Sequence, residues 1–219
     1  MKRSLVLLYG VLNYVLFLGV FLYLLGWIGG FVVPTKLDAP GESSLGVALV
    51  VDALLILLFG LQHSVMARPG FKAWWTRIIP PSIERSTYVL LSSLLLLLIF
   101  WQWRPVPTIA WDLAGSPPGA LVLALHAIGW LVVLASTFMI SHWDLFGLRQ
   151  VFLHLRGRVY TPLAFRSAAF YGLVRHPLML GFIIAFWAAP TMSHGRLFFA
   201  AATTAYILAA LRLEERDLV

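Results

Sequence analysis

Residues 5–33 read LVLLYGVLNYVLFLGVFLYLLGWIGGFVV, 29 positions without a charged side chain. A bilayer core of about 30 Å is crossed by about 20 residues of helix, so this run spans with tilt to spare. Lys2 and Arg3 precede it, as in a signal peptide, but no small-residue cleavage pattern closes the run early. It reads as a retained first span.

The same pattern recurs downstream. Leu45–Ala67 is a second apolar window, with Asp52 as its only acidic residue. Ser86–Trp103 is a third, led by the leucines of 94–98, and Leu113–Ser141 a fourth, interrupted only by His126. Further on, Leu178–Pro190 and Leu197–Leu211 are apolar but short. Extending the first of these back over 170–176 lengthens it at the cost of taking in Arg175. The second is expected to continue as helix through Arg212–Leu218. Together they form a hairpin with Pro190–Arg196 as the turn, either spanning fully or re-entering under the cover of protein.

Composition agrees with a membrane protein. Hydrophobic residues make up 61% of 219 residues and charged ones 11%, and the mean hydropathy is +0.89. A soluble domain carries about a quarter charged residues. The absence of cysteine excludes a disulfide framework, a thiolate-bound metal and a cysteine nucleophile. The formal charge of +7 is explained by membrane lipid at one surface rather than by nucleic acid. With six spans and both termini cytoplasmic, 13 of the basic residues fall inside. Only Lys36, Arg104 and Arg196 fall outside. This is the bias of the positive-inside rule. A five-span arrangement weakens it. The expected architecture is an all-α polytopic membrane protein of one domain, residues 1–219. The cytoplasmic segment 68–85, RPGFKAWWTRIIPPSIER, is expected to lie at the interface, with Pro80 and Pro81 stopping any helix before the third span.

The chemistry-bearing patterns lie on the cytoplasmic side, most of them within 142–219. Arg175-His176-Pro177 stands at the mouth of a helix, followed by Gly181. Proline suits a helix's first turn, where free N–H groups attract anions. Arg175 suits a carboxylate, and His176 exchanges protons near neutral pH. The same residues equally make an interface anchor, a cap and a packing glycine. Glu214-Glu215-Arg216-Asp217 close the chain, either as local ion pairs or as ligands for amino or hydroxyl groups. His63, His142, His154 and His176 fall near one side. They come from four separate segments without helical pairing, so no metal site is expected. Gln62, His63, Ser64 and Arg68 end the second span together and are candidates to line a pocket with Asp144 or Arg149. Asp52 needs a partner or water, with Asn13 the best polar candidate across spans.

These residues resemble a known superfamily. Val174-Arg175-His176-Pro177, Gly181 and Glu214-Glu215-Arg216-Asp217-Leu218 are similar to the cofactor-binding half of the isoprenylcysteine carboxyl methyltransferase-like membrane enzymes. That superfamily includes phospholipid N-methyltransferases and NnrU-type proteins. The stretches 62–68, 84–88 and 144–150 resemble both the small-thiol S-methyltransferase branch and the NnrU branch, and the likeness runs from about residue 60 onward. The resemblance implies S-adenosyl-L-methionine as cofactor. It implies that Arg175, His176, Pro177, Met179, Gly181, Glu214 and Glu215 hold it, in a C-terminal part over about 142–219. It implies a small thiol, methanethiol, as acceptor, in a bacterial cytoplasmic membrane and with no obligate protein partner. His176, His142 and His63 are candidates for a base. Carboxyl methyltransferases usually carry tyrosine two residues after the motif proline, and Met179 stands there instead. The alternatives are an NnrU-like protein without enzymatic role and a prenylcysteine or phospholipid methyltransferase. Trp143, Phe146, Tyr171 and Met179 are candidates to line a thiol pocket.

Overall fold

In hydrocarbon no water is present to satisfy backbone N–H and C=O groups, so long apolar runs fold as helices that satisfy their own. The computed structural model describes residues 2–41, 43–163 and 174–217, with side chains in the last helix described through Leu213. The protein is an all-α polytopic membrane protein. Five helices are long and apolar enough to cross: α1 (Arg3–Gly29), α2 (Leu45–Ala67), α4 (Pro81–Gln102), α5 (Pro117–Ile140) and α9 (His194–Asp217). A sixth, α8 (Pro177–Trp187), has 11 residues and is about 16 Å long at 1.5 Å per residue. Short helices α3 (Pro69–Trp75), α6 (His142–Leu145) and α7 (Leu148–Leu155) lie between spans. Strands β1 (Ile109–Asp112) and β2 (Thr191–Ser193) pair antiparallel.

Several boundaries move from expectation. The first helix ends at Gly29, where Gly30 takes the left-handed conformation, φ 75°, and returns its N–H to the Gly26 carbonyl. The third span begins at Pro81, because a proline at the first helical position forfeits nothing. The fourth begins at Pro117 under a Ser116 cap that accepts from Gly119 N–H at 3.2 Å. Residues 109–112, just ahead of it, are strand. The last helix runs to Asp217 as expected.

α8 stops well short of a full crossing, and carbonyls at and beyond its end find partners elsewhere. His126 on α5 donates from Nδ1 to the Ala185 carbonyl at 2.8 Å, while its Nε2 accepts from the Trp130 indole at 3.0 Å. The chain then leaves α8 as extended backbone. Leu113 N–H donates to the Pro190 carbonyl at 2.9 Å and the Trp111 indole to that of Ala189 at 3.3 Å. Thus β1 completes the backbone bonding that the short helix cannot supply.

The outer ends are locked together. Arg196, 8% exposed, donates from Nε to Asp38 at 2.9 Å and from its guanidinium to the Ile28 carbonyl, and Ser193 also donates to Asp38. Below this lies an aromatic core of Trp27, Phe100, Trp103, Phe186 and Phe199, with ring centroids 5.0–5.6 Å apart. Asp52 is 1% exposed and accepts from the Arg104 backbone N–H at 2.8 Å. It thus caps the turn that leaves α4, and the partner is backbone rather than Asn13.

Candidate active site

Among the described residues, α5 and α8 make the most extensive helix–helix contact. A Cβ on Gly181 would stand 2.8 Å from Val133 N and 2.9 Å from the Gly129 carbonyl. Gly181 therefore meets α5 backbone, and the close packing fixes the height of α8. Counting along the two helices from this contact leaves the start of α8 about 7 Å short of the α5 end at Ile140. The mouth of α8 is recessed relative to the end of α5.

That mouth suits an anion. Pro177 is buried, Arg175 is exposed and His176 is half-buried with interactions of its own. The first bond of the helix is Leu180 N–H to the His176 carbonyl at 3.1 Å. The N–H groups of Leu178 and Met179 have no acceptor among the described residues. Two donors that no described residue uses, at the positive end of a helix that an arginine precedes, match a carboxylate. Met179 is half-buried on the same turn. Glu214 and Glu215 occupy the last turns of α9, with side chains outside the described set. Tyr171 also lies outside the described residues, as does the extension of the fifth apolar run over 170–173.

His142 sits where α5 gives way to α6. Ser141 takes a positive φ of 118° there and turns the chain. Thr137 donates its hydroxyl to the Leu134 carbonyl at 2.8 Å and so accepts from His142 Nδ1 at 2.8 Å. Tyr14 on α1 then donates to Nε2 at 2.8 Å. Phe138 stacks on the ring at 4.4 Å, and Phe146 and Trp143 meet it edge-on. Burial holds this imidazole below its ordinary range. Phe146 is itself buried against Phe17 at 4.0 Å, whereas Trp143 is exposed.

A second polar group lies between α2, α4 and α9. His63 and Gln62 both reach Ser92, and Ser64 donates to Tyr206 at 3.4 Å. Phe59 stacks on the His63 ring at 5.2 Å and Tyr88 tilts against it at 5.0 Å. Asp144 and Arg149 belong to a different network. Arg149 bridges Asp144 at 3.0 Å and the Thr161 carbonyl at 2.8 Å, and Tyr160 donates to Asp144 at 3.0 Å. Among the described residues, no hydrogen bond joins Gln62, His63 or Ser64 to Asp144 or Arg149. Arg85 stands between them, donating to the Leu145 carbonyl at 2.6 Å and lying 4.9 Å over the Tyr88 ring. His154 is on α7, and no three metal-binding side chains gather among the described residues.

Tyr14, Thr137, Ser92 and Tyr206 drew no notice in the sequence. Each is a hydroxyl inside an apolar run, and only the pairing of distant helices shows its partner. A buried hydroxyl in a spanning helix was the available signal.

No family model matches the chain, and no solved structure matches it. Curated relatives do. Methanethiol S-methyltransferase 2 of Bradyrhizobium diazoefficiens is 54% identical over 99% of this chain and 83% of its own length. Methanethiol S-methyltransferase of Mycobacterium tuberculosis is 54% identical over 100% of this chain and 90% of its own. Nurim of Sus scrofa is 34% identical over 83% and 72%. With identity of this degree running from end to end, the chain belongs to the methanethiol S-methyltransferase family.

Proposed function

We propose that the protein transfers the methyl group of S-adenosyl-L-methionine to the sulfur of methanethiol, giving dimethyl sulfide, at the cytoplasmic end of a bacterial inner-membrane bundle. The observation that carries this reading is the near-full-length identity of 54% to methanethiol S-methyltransferases of two distant bacteria. The cofactor supplies, when bound, an activated methyl group on a positively charged sulfur.

The chain's own residues position and shield. Arg175 and the open N–H groups of α8's first turn grip the cofactor's carboxylate, with His176 and Pro177 shaping the mouth. Glu214 and Glu215 take its amino or ribose hydroxyl groups. Met179 packs against the sulfonium region, and Gly181 sets the height of the whole mouth through its contact with α5. Methyl transfer to a thiolate annihilates opposite charges, so shielding the reacting atoms from water favours it over hydrolysis. Each methylene contributes only about 1–3 kcal/mol of discrimination, so longer thiols are excluded by lack of room.

Headspace gas chromatography of purified protein with methanethiol and longer alkyl thiols tests the acceptor, beside calorimetric titration of S-adenosyl-L-methionine. Dimethyl sulfide from methanethiol, with turnover falling as the chain lengthens, is the expected result. Faster turnover of a prenylcysteine or a phospholipid would overturn the acceptor and leave the methyltransferase. Well-folded protein that neither binds the cofactor nor methylates any acceptor would overturn both.

A further inference from the structure

The His63 ring is bonded at one nitrogen, and no described residue bonds the other. Nδ1 lies 3.2 Å from Ser92 Oγ, and Ser92 donates to Gln62 Oε1 at 3.2 Å. The Gln62 amide is oriented from its other end, where Nε2 donates to Met66 Sδ at 3.1 Å. A hydroxyl has a single proton. Ser92 spends it on Gln62, so Ser92 accepts from His63, and Nδ1 carries the hydrogen. In the neutral ring Nε2 is then a bare lone pair, with no hydrogen-bond partner among the described residues. His126 and His142 differ in this respect, because both nitrogens of each are engaged.

We propose that His63 Nε2 is the base that takes the proton from the thiol, with Ser92 and Gln62 as positioning residues that fix its tautomer. The proposal rests on the thiol methyltransferase reading above. An alkyl thiol is mostly protonated at neutral pH, and the thiolate is the nucleophile. In the step assigned here the S–H bond breaks, its proton forms an N–H bond at Nε2, and both electrons stay on sulfur. The imidazolium so formed keeps its Nδ1–H bond to Ser92, whose own bond polarises toward the Gln62 carbonyl. This is the logic of a base oriented by a second group behind it.

The surroundings suit the step. Phe59 and Tyr88 flank the ring and exclude water from the nascent thiolate. Among the described residues, the charged or titratable groups facing the ring and the Tyr88 beside it are Arg85, Arg68, Glu84 and Tyr206, with Lys72 of α3 near Arg85 and Glu84. The site is also open to a substrate that dissolves in lipid, since His63 is half-buried and lies one turn from the cytoplasmic end of α2. Tyr206, in contact with this α2 face, precedes Glu214 by eight residues, about 12 Å along α9. One helix therefore runs from the base toward the carboxylates assigned to the cofactor.

Two measurements test this. Nitrogen-labelled histidine NMR of the cofactor-free protein in nanodiscs, assigned by the signal lost in His63→Asn, should show His63 neutral with hydrogen on Nδ1. Ser92→Ala should abolish that preference and Ser92→Thr restore it. Hydrogen on Nε2 in the parent protein, or a tautomer indifferent to Ser92→Ala, would overturn the relay. In kinetics, His63→Asn should lose about 10²–10⁴-fold in methanethiol turnover, the usual worth of a general base, with S-adenosyl-L-methionine affinity unchanged. Hydrogen sulfide, substantially ionised at neutral pH without a base, should lose at least tenfold less. Equal losses for both acceptors, or undiminished methanethiol turnover, would overturn the base. If His63→Asn does not fold, loss in Ser92→Ala with recovery in Ser92→Thr decides instead. A parent protein that is folded yet binds no cofactor and methylates no thiol would sink the methyltransferase reading, an outcome distinct from all of these.

Discussion

Gly181 on α8 and Gly129 on α5 face each other with no room for a side chain on either. A Cβ at Gly129 would lie 2.6 Å from Ala185 N and 2.9 Å from the Gly181 carbonyl, and the reverse contact is equally tight. Because the obstacles are backbone atoms, no rotamer change relieves them. Gly181→Ala or Gly129→Ala should therefore cost about 1–3 kcal/mol through overpacking. The double variant should be far from additive, since the first substitution already forces the helices apart. Thermal unfolding in detergent reads the stability. The weaker cofactor binding expected from a displaced α8 mouth separates this pair from a purely structural contact.

How much of this was legible in the sequence depends on what each residue answers to. The long spans were plain, because burial in lipid is a property of a whole window of residues. The boundary at Pro117 and the pairing of Ile109 with Ser193 were not. They depend on a contact between loops about 80 residues apart that hydropathy does not encode. His126 looked like an interruption of a span. It is the group that lets α8 end early, which only its bond to the Ala185 carbonyl reveals. Arg175, His176 and Pro177 were readable as a helix mouth from local rules. Ser92, by contrast, becomes meaningful only once α4 is laid against α2.

Arg175 should matter more to cofactor affinity than any interfacial arginine. Losing a charge-assisted hydrogen bond costs about 1.5–3 kcal/mol, so Arg175→Ala should weaken S-adenosyl-L-methionine binding by roughly ten- to a hundredfold. Glu214→Ala and Glu215→Ala should act in the same direction. Arg77→Ala, on the connection that follows α3, should leave affinity unchanged. Calorimetric titration of folded variants in detergent compares them, and equal affinities across the set would remove these residues from the site.

Both termini should be cytoplasmic. The segments holding Asp38, Thr108 and Arg196 pack on one another at one face, and by their order along the sequence the 13 remaining basic residues are expected at the other. Reporter fusions at residue 40, residue 155 and the C-terminus should report outside, inside and inside. An outside signal at the C-terminus would mean that α8 does not carry the chain across.

His142 should make the fold sensitive to mild acid. Burial lowers the pKa of its imidazole below the ordinary 6.5, so at a pH between the folded and unfolded values the unfolded chain binds the extra proton. Unfolding then becomes easier as pH falls. The contribution is intact above 6.5 and is lost progressively down to the folded value, below which it changes no further. Protonation also disturbs specific bonds. Nε2 accepts from the Tyr14 hydroxyl at 2.8 Å, and a proton there makes two donors meet until Tyr14 turns away. Melting temperatures in detergent between pH 8 and pH 5 should therefore decline on the acid side in the parent protein. His142→Gln, which keeps polar groups near Tyr14 and Thr137 but does not titrate, should start from lower stability and decline less steeply. Parallel curves for the two would show that the acid sensitivity belongs to another group and that His142 serves only to join α1 to α5.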